Sequence, residues 1–153
     1  MKSAKYWVDK LCLQKHQEGG YFREVYRSQT QFDVEGMGVR NAASSIYYLL
    51  QKGEFSAFHR IKSDEIWHFY AGSPLAIHVI DSGKLGKIIL GKDKMQAVIK
   101  AGCWFAASAD KGYALIGCTV SPGFDYADWE MAKRKELVRE YPQFKKTIER
   151  YTR

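Results

Sequence analysis

The chain has 153 residues, the usual size of one globular domain, and 46% of them are hydrophobic, which excludes a disordered protein. Its first twenty residues carry charges throughout, unlike a secretory signal, and no apolar run reaches the roughly 18 residues of a membrane span. We therefore predict a cytoplasmic protein without a membrane partner. The cysteines Cys12, Cys103 and Cys118 lack paired spacing, which predicts free thiols rather than disulfides or a structural zinc site.

The formal net charge of +7 raises the question of a nucleic-acid partner. The basic residues concentrate near the C-terminus, where Lys133, Arg134, Lys135 and Arg139 alternate with glutamates. This pattern is typical of a solvated helix face, and no nucleic-acid-binding motif accompanies it. We predict no nucleic-acid partner.

The predicted elements begin with a short helix over residues 3–11, where Ser3 can cap the helix and Trp7, Val8 and Leu11 share a face. A loop is predicted over residues 16–20. Beyond it, turn residues divide the chain into short segments rich in Tyr, Phe, Ile and Val, which is typical of a β-sandwich or barrel. The nine predicted strands are Tyr21–Arg27, Ser44–Leu50, Phe55–Arg60, Glu65–Ala71, Leu75–Asp81, Lys87–Leu90, Gln96–Ile99, Cys103–Ala106 and Tyr113–Val120.

The pattern becomes helical after residues 121–123. Leu137, Val138 and Tyr141 share one face, and Pro142 can begin a final short helix. No linker or internal repeat interrupts the chain. Residues 1–153 are therefore predicted to form a single domain.

The segment from Gly53 to Gly72 has the most informative spacing. It places His59 and Ile61 on one face of a strand, because side chains alternate across a strand. If the next strand folds back in register, Glu65 can join that face, and so can Trp67. A histidine and a carboxylate would then point into one interior.

This spacing resembles the first motif of the cupin superfamily, which runs Gly, five residues, His-x-His, three or four residues, Glu, six residues, Gly. Ile61 replaces the second histidine of that motif. Residues 100–107, KAGCWFAA, resemble the second cupin motif, with Phe105 in place of its metal-binding histidine.

Four further segments occur in the order typical of the cupin-5 branch of this superfamily: HQEGGYFREVYRS, SSIYYLL, FHRIKSDEIWHFYAG and GYALIGCTVSPGFDYADWE. The resemblance covers nearly the whole chain. It implies an all-β fold, a single jelly-roll-like antiparallel β-barrel with a short N-terminal helix and C-terminal helices. It also implies a homodimer, similar in outline to dTDP-sugar epimerases.

The replacements at Ile61 and Phe105 remove two residues that bind a metal ion in the cupin motifs. A metal site of the facial-triad type needs two histidines and one carboxylate, and at the motif positions only His59 and Glu65 remain. We therefore predict no metal or other cofactor. Two alternatives stay open: a metal held by His59, Glu65 and His78, or a buried His59–Glu65 pair with a structural role alone. His68 is predicted to face away.

Several residues around this pair are predicted to bind a small-molecule ligand. Arg23 and Arg27 share a face of the first strand, which indicates an anion contact or, equally, a charged sheet edge facing water. Aromatic residues are predicted to line the pocket or to return a proton. The predicted ligand-binding residues are Tyr21, Arg23, Tyr47, Trp67, Phe105 and Tyr113.

Two functions follow as hypotheses. The first is a metal-independent isomerase, epimerase or lyase for a carbohydrate-like substrate. In it His59 is the catalytic base and Glu65 orients its ring, while Tyr47 or Tyr113 returns the proton. The second is a small-molecule receptor in which the same residues only bind. Of the two hypotheses, the sequence favours the enzyme slightly over the receptor.

Overall fold

The computed structural model describes residues 2–153 and consists mainly of antiparallel strands. The helices are α1 (Ala4–Lys10), α2 (Arg134–Glu140) and α3 (Lys145–Arg150), with short 3₁₀ helices at Tyr126–Asp128 and Pro142–Phe144. The strands are β1 (Gln14–Lys15), β2 (Tyr21–Arg27), β3 (Gln31–Val34), β4 (Gly38–Asn41), β5 (Ser44–Leu50), β6 (Phe55–Ile61), β7 (Asp64–Gly72), β8 (Leu75–Asp81), β9 (Lys84–Leu90), β10 (Gln96–Ile99), β11 (Trp104–Ser108), β12 (Ala114–Ser121) and β13 (Trp129–Met131).

Two sheets enclose the interior. One has six strands in the order β1-β2-β5-β12-β7-β10, and the other has five in the order β13-β6-β11-β8-β9. Strands β3 and β4 form a separate hairpin. Within residues 2–153 the ladders do not close the two sheets into one continuous barrel, so the jelly roll is an open sandwich.

The space between the sheets is solid at one end, where fully buried side chains such as Leu75, Ile77, Leu90 and Ile116 pack together. Each comes from a strand that alternates between inward and outward residues. At the other end the side chains do not fill the interior, and a cavity remains.

Helix α1 covers the outer face of the six-stranded sheet. Ser3 caps the helix, since its Oγ accepts a hydrogen bond from the Tyr6 N–H at 3.1 Å. The apolar face of the helix, with Trp7, Val8 and Leu11, then packs on a cluster built around Leu49 and Leu115. The amphipathic pattern of the N-terminal segment thus serves the chain's own sheet.

The C-terminal helices cover the outer face of the five-stranded sheet in the same way. Leu137 of α2 and Ile148 of α3 pack on Phe58 of β6 and Trp104 of β11. The backbone N–H of Phe58 also donates to the Tyr151 carbonyl at 2.8 Å. This contact fixes the end of the chain against β6.

The predicted all-β fold with N-terminal and C-terminal helices is confirmed. All nine predicted strands are present, four of them with the predicted bounds. The hairpin of β3 and β4 was not predicted, although its turn contains Gly36 and β4 begins at Gly38, both at positive φ. Residues 2–153 contain no helix of the length and apolar character needed to cross a membrane.

Candidate functional site

The candidate site is a cavity of about 400 Å³ at the open end of the sandwich. Its wall comes from both sheets, from the loop before β2 and from residues 124–126. Aromatic side chains form much of the wall: Phe22, Tyr48, Trp67, Phe124 and Tyr126. Four ionisable residues lie deeper in the cavity: His16, Glu18, His59 and Glu65. A cavity of this size and character fits a small polar ligand with an apolar part.

Strands β6 and β7 supply the residues that the motif spacing identified. His59 and Ile61 of β6 line the cavity, as do Glu65 and Trp67 of β7. His59 is 3% exposed and Glu65 8% exposed, so both ionisable groups are removed from bulk water. The structure therefore brings these four side chains together as strand alternation requires.

The loop before β2 places two further ionisable side chains, His16 and Glu18, against them. The loop turns through Gly19 and Gly20, both at positive φ. A side chain at Gly19 would collide with the backbone of Phe55, and one at Gly20 with the backbone of Leu49. These glycines let the loop lie flat on both sheets, which carries Glu18 into the interior.

Glu18, rather than Glu65, is the carboxylate that contacts His59. The Nε2 atom of His59 lies 3.4 Å from Glu18 Oε1, and its Nδ1 lies 2.8 Å from the Ala57 carbonyl oxygen. A carbonyl oxygen only accepts, so Nδ1 carries a proton. Glu65 was predicted to orient the His59 ring; Glu18 and Ala57 hold that ring instead.

The remaining contacts of Glu18 indicate a carboxylate. Its Oε1 accepts a hydrogen bond from Trp129 Nε1 at 2.7 Å, and its Oε2 accepts one from Ser56 Oγ at 3.0 Å. Glu18 therefore turns its Oε1 toward Nε2 of His59, where the carboxylate would compensate the charge of an imidazolium.

His16 is neutral in this arrangement. The backbone N–H of Glu18 donates to His16 Nδ1 at 3.2 Å, so that nitrogen carries no proton. Burial lowers the pKa of His16, and the nearby Glu18 carboxylate opposes that shift. His16 thus adds no positive charge to the cavity at neutral pH.

Glu65 has a different environment. Burial raises the pKa of Glu65 to about 7, against the opposing effect of the His59 charge, and the Glu18 carboxylate adds to the rise. The Cys118 thiol and the Trp67 indole face it and lower its pKa slightly. The Trp67 Nε1–H faces this carboxyl but completes no hydrogen bond within residues 2–153. Glu65 can therefore gain or lose a proton near neutral pH beside the Trp67 indole N–H.

Arg27 reaches the mouth of the cavity because β2 contains a bulge. The pairing of β2 with β5 shifts between Glu24 and Tyr26, so one extra residue lies on β2. Simple alternation predicts Arg27 on the face of Tyr21 and Arg23, but the bulge turns it to the face of Phe22 and Glu24.

Four of the ligand-binding residues predicted from sequence lie away from the cavity. Tyr21, Tyr47 and Tyr113 pack with the cluster beneath α1, and Tyr113 Oη accepts a hydrogen bond from Trp7 Nε1 at 3.1 Å. Arg23 shares their face of β2 and is not part of the cavity wall. Tyr21 and Arg23 do share one face of β2, as strand alternation predicts, but the face that points to the cavity is that of Phe22.

The other two predicted ligand-binding residues lie in the interior. Trp67 lines the cavity. Phe105 is 1% exposed and packs behind His59, with ring centroids 4.1 Å apart, so it supports the site rather than lining it. Sequence reasoning did not identify Glu18, whose signal was an isolated carboxylate directly before a Gly-Gly pair.

A family model described as Cupin superfamily (DUF985) matches residues 5–132. The chain belongs to this cupin family. Its fold agrees closely with two solved cupin-like structures. A hypothetical protein from Leishmania major has a TM-score of 0.93 at 33% identity, covering 99% of each chain. Protein SO0799 from Shewanella oneidensis has a TM-score of 0.92 at 39% identity, covering 100% of this chain and 99% of that one.

Two more distant comparisons complete the placement of this cupin. An uncharacterised protein of Saccharomyces cerevisiae, YML079W, is 30% identical over 90% of this chain and 79% of its own length. Oxalate decarboxylase from Bacillus subtilis has a TM-score of 0.61 at 14% identity, covering 90% of this chain and 36% of that one. At that identity the likeness concerns the fold alone.

The cupin fold implies a metal site, but the donor set here does not fit one. Ile61 presents an aliphatic side chain to the cavity where the family motif has a histidine, and Phe105 fills the other position. Among residues 2–153 no three His, Cys, Asp or Glu side chains are grouped to hold a metal ion. The alternative with His78 is wrong, because His78 lies outside the cavity and stacks on Tyr151 at 4.6 Å.

Proposed function

We propose that this cupin is a metal-independent acid–base enzyme, an isomerase, epimerase or lyase acting on a small carbohydrate-like compound. The observation that carries the proposal is the pairing of two proton-exchanging groups in one cavity. Nε2 of His59 lies 3.4 Å from Glu18 Oε1, and Glu65 has a pKa of about 7 beside this pair. Two such groups with different environments are what moving a proton on and off carbon requires.

The geometry revises the roles expected from the sequence. Glu65 is the base, since its pKa near 7 leaves a large fraction ionised at neutral pH. It removes a proton from the carbon next to a carbonyl group. His59 is the acid, and donates its Nε2 proton to the carbonyl oxygen as negative charge develops there. Glu18 positions His59 and stabilises the imidazolium between turnovers.

Isomerisation or epimerisation is completed when a proton returns to a carbon atom. Glu65, protonated after the first step, can return it to the neighbouring carbon or to the same carbon after the intermediate turns. Tyr48 is less suited to this task, because its hydroxyl donates to the Gly19 carbonyl at 2.6 Å and burial raises its pKa well above the usual value. Tyr47 and Tyr113 lie on the other face of the sheet.

The test is an incubation of the protein with a metabolite extract in D₂O, followed by mass spectrometry. We expect one compound to be converted with deuterium bound to carbon. The variant His59→Asn keeps a donor toward the Ala57 carbonyl but lacks Nε2, and should lower the rate about 10²- to 10⁴-fold. His68→Gln is the matched control, because His68 contacts Thr119 and Gln96 outside the cavity.

Two results would contradict the proposal. Conversion by His59→Asn at the wild-type rate would remove His59 from the chemistry. A compound that is retained by the wild type but recovered unchanged and unlabelled would identify a receptor instead. The receptor hypothesis draws support from the same apolar wall and from the replacement of the metal-binding positions by Ile61 and Phe105.

We also propose that the protein forms a homodimer through the free part of strand β2. Strand β1 pairs with β2 only at Tyr21 and Phe22. Beyond these the edge of β2 is open within residues 2–153, and Val25 and Tyr26 are exposed there. Pairing two such edges across a two-fold axis would satisfy their backbone groups. A monomer mass by native mass spectrometry at micromolar concentration would contradict this.

A further inference from the structure

The charges of the cavity are unevenly compensated. Besides His16, the cavity wall has two residues that can carry a positive charge, Arg27 and His59, and among residues 2–153 no lysine joins them. Each of the two already faces a carboxylate. The Glu18 carboxylate faces His59, and both oxygens of Glu24 accept hydrogen bonds from Arg27, at 3.0 and 2.7 Å.

Arg27 also has few donors left for a ligand. One nitrogen of its guanidinium, Nη1, donates to Asn41 Oδ1 at 3.1 Å and to the Phe124 carbonyl oxygen at 3.0 Å. Four of its five N–H groups are therefore used inside the protein. An incoming phosphate or carboxylate would find neither a free positive charge nor a free guanidinium edge.

Two further carboxyl groups of the wall, Glu65 and Asp125, take part in no salt bridge of residues 2–153. The Glu65 carboxyl faces the cavity. Asp125 accepts a hydrogen bond from the Ala127 N–H at 2.8 Å and stands near the mouth. The excess charge of the cavity is therefore negative once Glu65 is ionised.

A second observation at Glu65 points to a ligand. Trp67 is 2% exposed and lines the cavity, and its Nε1–H faces the Glu65 carboxyl without completing a hydrogen bond within residues 2–153. A buried donor without a hydrogen bond costs about 1–3 kcal/mol, so a donor of this kind in a cavity usually receives its hydrogen-bond acceptor from a ligand or a water molecule. Glu65 and Trp67 are two residues apart on the same face of β7, and together they offer an acceptor and a donor.

We infer that the cavity takes an amine-bearing ligand, whose ammonium group pairs with Glu65 and whose neighbouring oxygen accepts from Trp67 Nε1. The inference rests on the proposed function, since it names the substrate class of the same cavity: the ammonium group, next to the carbon that loses its proton, keeps Glu65 ionised for its role as the base. The aromatic walls suit such a ligand, because aromatic faces attract cations. Compounds that carry phosphate or carboxylate are disfavoured by the unpaired acidic groups.

The test compares three probes of nearly equal shape: benzylamine, benzyl alcohol and benzoate. Their dissociation constants are measured at pH 8 by NMR, from the shift of the Trp67 indole N–H signal. We expect benzylamine to bind about tenfold more tightly than benzyl alcohol, as for a hydrogen bond to a charged group, with benzoate weakest. Equal affinities, tighter binding of benzoate, or no effect of benzylamine on this signal would overturn the inference.

Two further measurements assign the effect to Glu65. Glu65→Gln should remove the advantage of benzylamine, whereas Glu130→Gln should leave it unchanged, since Glu130 pairs with Arg60 on the outside. In the wild type the advantage should also shrink at pH 6, where Glu65, with its pKa of about 7, is mostly protonated. The groups facing Glu65 are His59 from β6, Glu18 from the loop, Tyr48 from β5 and Cys118 from β12.

This experiment fails separately from the test of the proposed function. None of the probes needs to react, so it measures only the charge preference of the cavity. Conversion of an anionic metabolite together with a preference for benzoate would overturn the amine inference and keep the enzyme. A preference for benzylamine without any conversion in the extract would overturn the enzyme and keep the preference.

Discussion

The two faces of the six-stranded sheet carry similar residues and use them differently. On the inner face, Tyr48 and Ile46 of β5 border the cavity. On the outer face of the same strand, Tyr47 and Leu49 pack beneath α1 with Leu115. The side chains of the inner face leave a cavity, whereas those of the outer face are packed closely against α1.

This difference shows that the role of a side chain in the sheet can be assigned only when the face of the strand on which it lies is known. Tyr47 and Tyr48 are neighbours in the sequence and are the same type of residue. One hydroxyl is tied to the loop that carries Glu18, through the Gly19 carbonyl at 2.6 Å, and the other belongs to a stabilising cluster. Matched substitutions on the two faces can therefore separate a binding role from a packing role.

The largest expected effect comes from truncating the filled face. Leu49→Ala removes a fully buried side chain beneath α1 and should cost about 2–5 kcal/mol of unfolding free energy. Ile46→Ala removes a side chain that already borders an empty cavity, so fewer contacts are lost, and we expect about 1 kcal/mol. Urea denaturation measures both. Equal losses would show that the cavity is closed by repacking.

The next effect concerns the charge on the open face. The pKa of Glu65 is about 7 in the folded protein and 4.5 for an ordinary carboxyl. The folded protein therefore binds more protons between these values, and stability falls as the pH rises through that window. Glu65→Gln should be more stable than the wild type by up to about 3 kcal/mol at pH 8.

The pH dependence distinguishes this effect from a change in packing. The difference between Glu65→Gln and the wild type should shrink toward zero as the pH falls below 4.5, because Glu65 is then protonated in both the folded and the unfolded state. His68→Gln, on the outer side of the same strand, should show no such trend. A stability difference independent of pH would contradict the raised pKa.

The smallest expected effect separates the two tyrosine hydroxyls. Tyr48→Phe leaves the Gly19 carbonyl without its buried donor and should cost about 1–3 kcal/mol. Tyr47→Phe removes a hydroxyl from a partly buried position on the outer face and should change stability by less than about 0.5 kcal/mol. Thermal denaturation at pH 7 compares them. A larger loss for Tyr47→Phe would reverse the assignment of the two faces.

Much of the fold could be predicted because it follows local patterns. Strands such as β2, β5 and β8 are short runs rich in aromatic or aliphatic residues between turn residues, and their predicted bounds agree with the structure. The hairpin of β3 and β4 was missed because its residues are mostly exposed and form no apolar alternation. Strand β13 has three residues, too few for a pattern.

The site was predicted only where one hairpin determines it. The spacing within residues 53–72 placed His59, Glu65 and Trp67 on one interior face, and they lie there. Glu18 reaches His59 from 41 positions away in the chain, a proximity that depends on the packing of two sheets. The alternation of side chains along β2 also does not show which of its two faces points inward. In the structure Tyr21 and Tyr47 pack against the apolar face of α1, so the opposite face of β2 points to the cavity.

The bulge in β2 shows how a strand beside a binding site can hold one extra residue without losing the side chains at its end. Val25 lies at the shift between Glu24 and Tyr26, so Arg27 pairs with Ser44 and faces the cavity, whereas an unbulged ladder of the same sequence would turn it to the opposite face. Deleting Val25 would therefore restore the regular ladder and keep Arg27 at the mouth beside Glu24. Related chains could gain or lose a residue at this point and retain the same charged pair at the entrance.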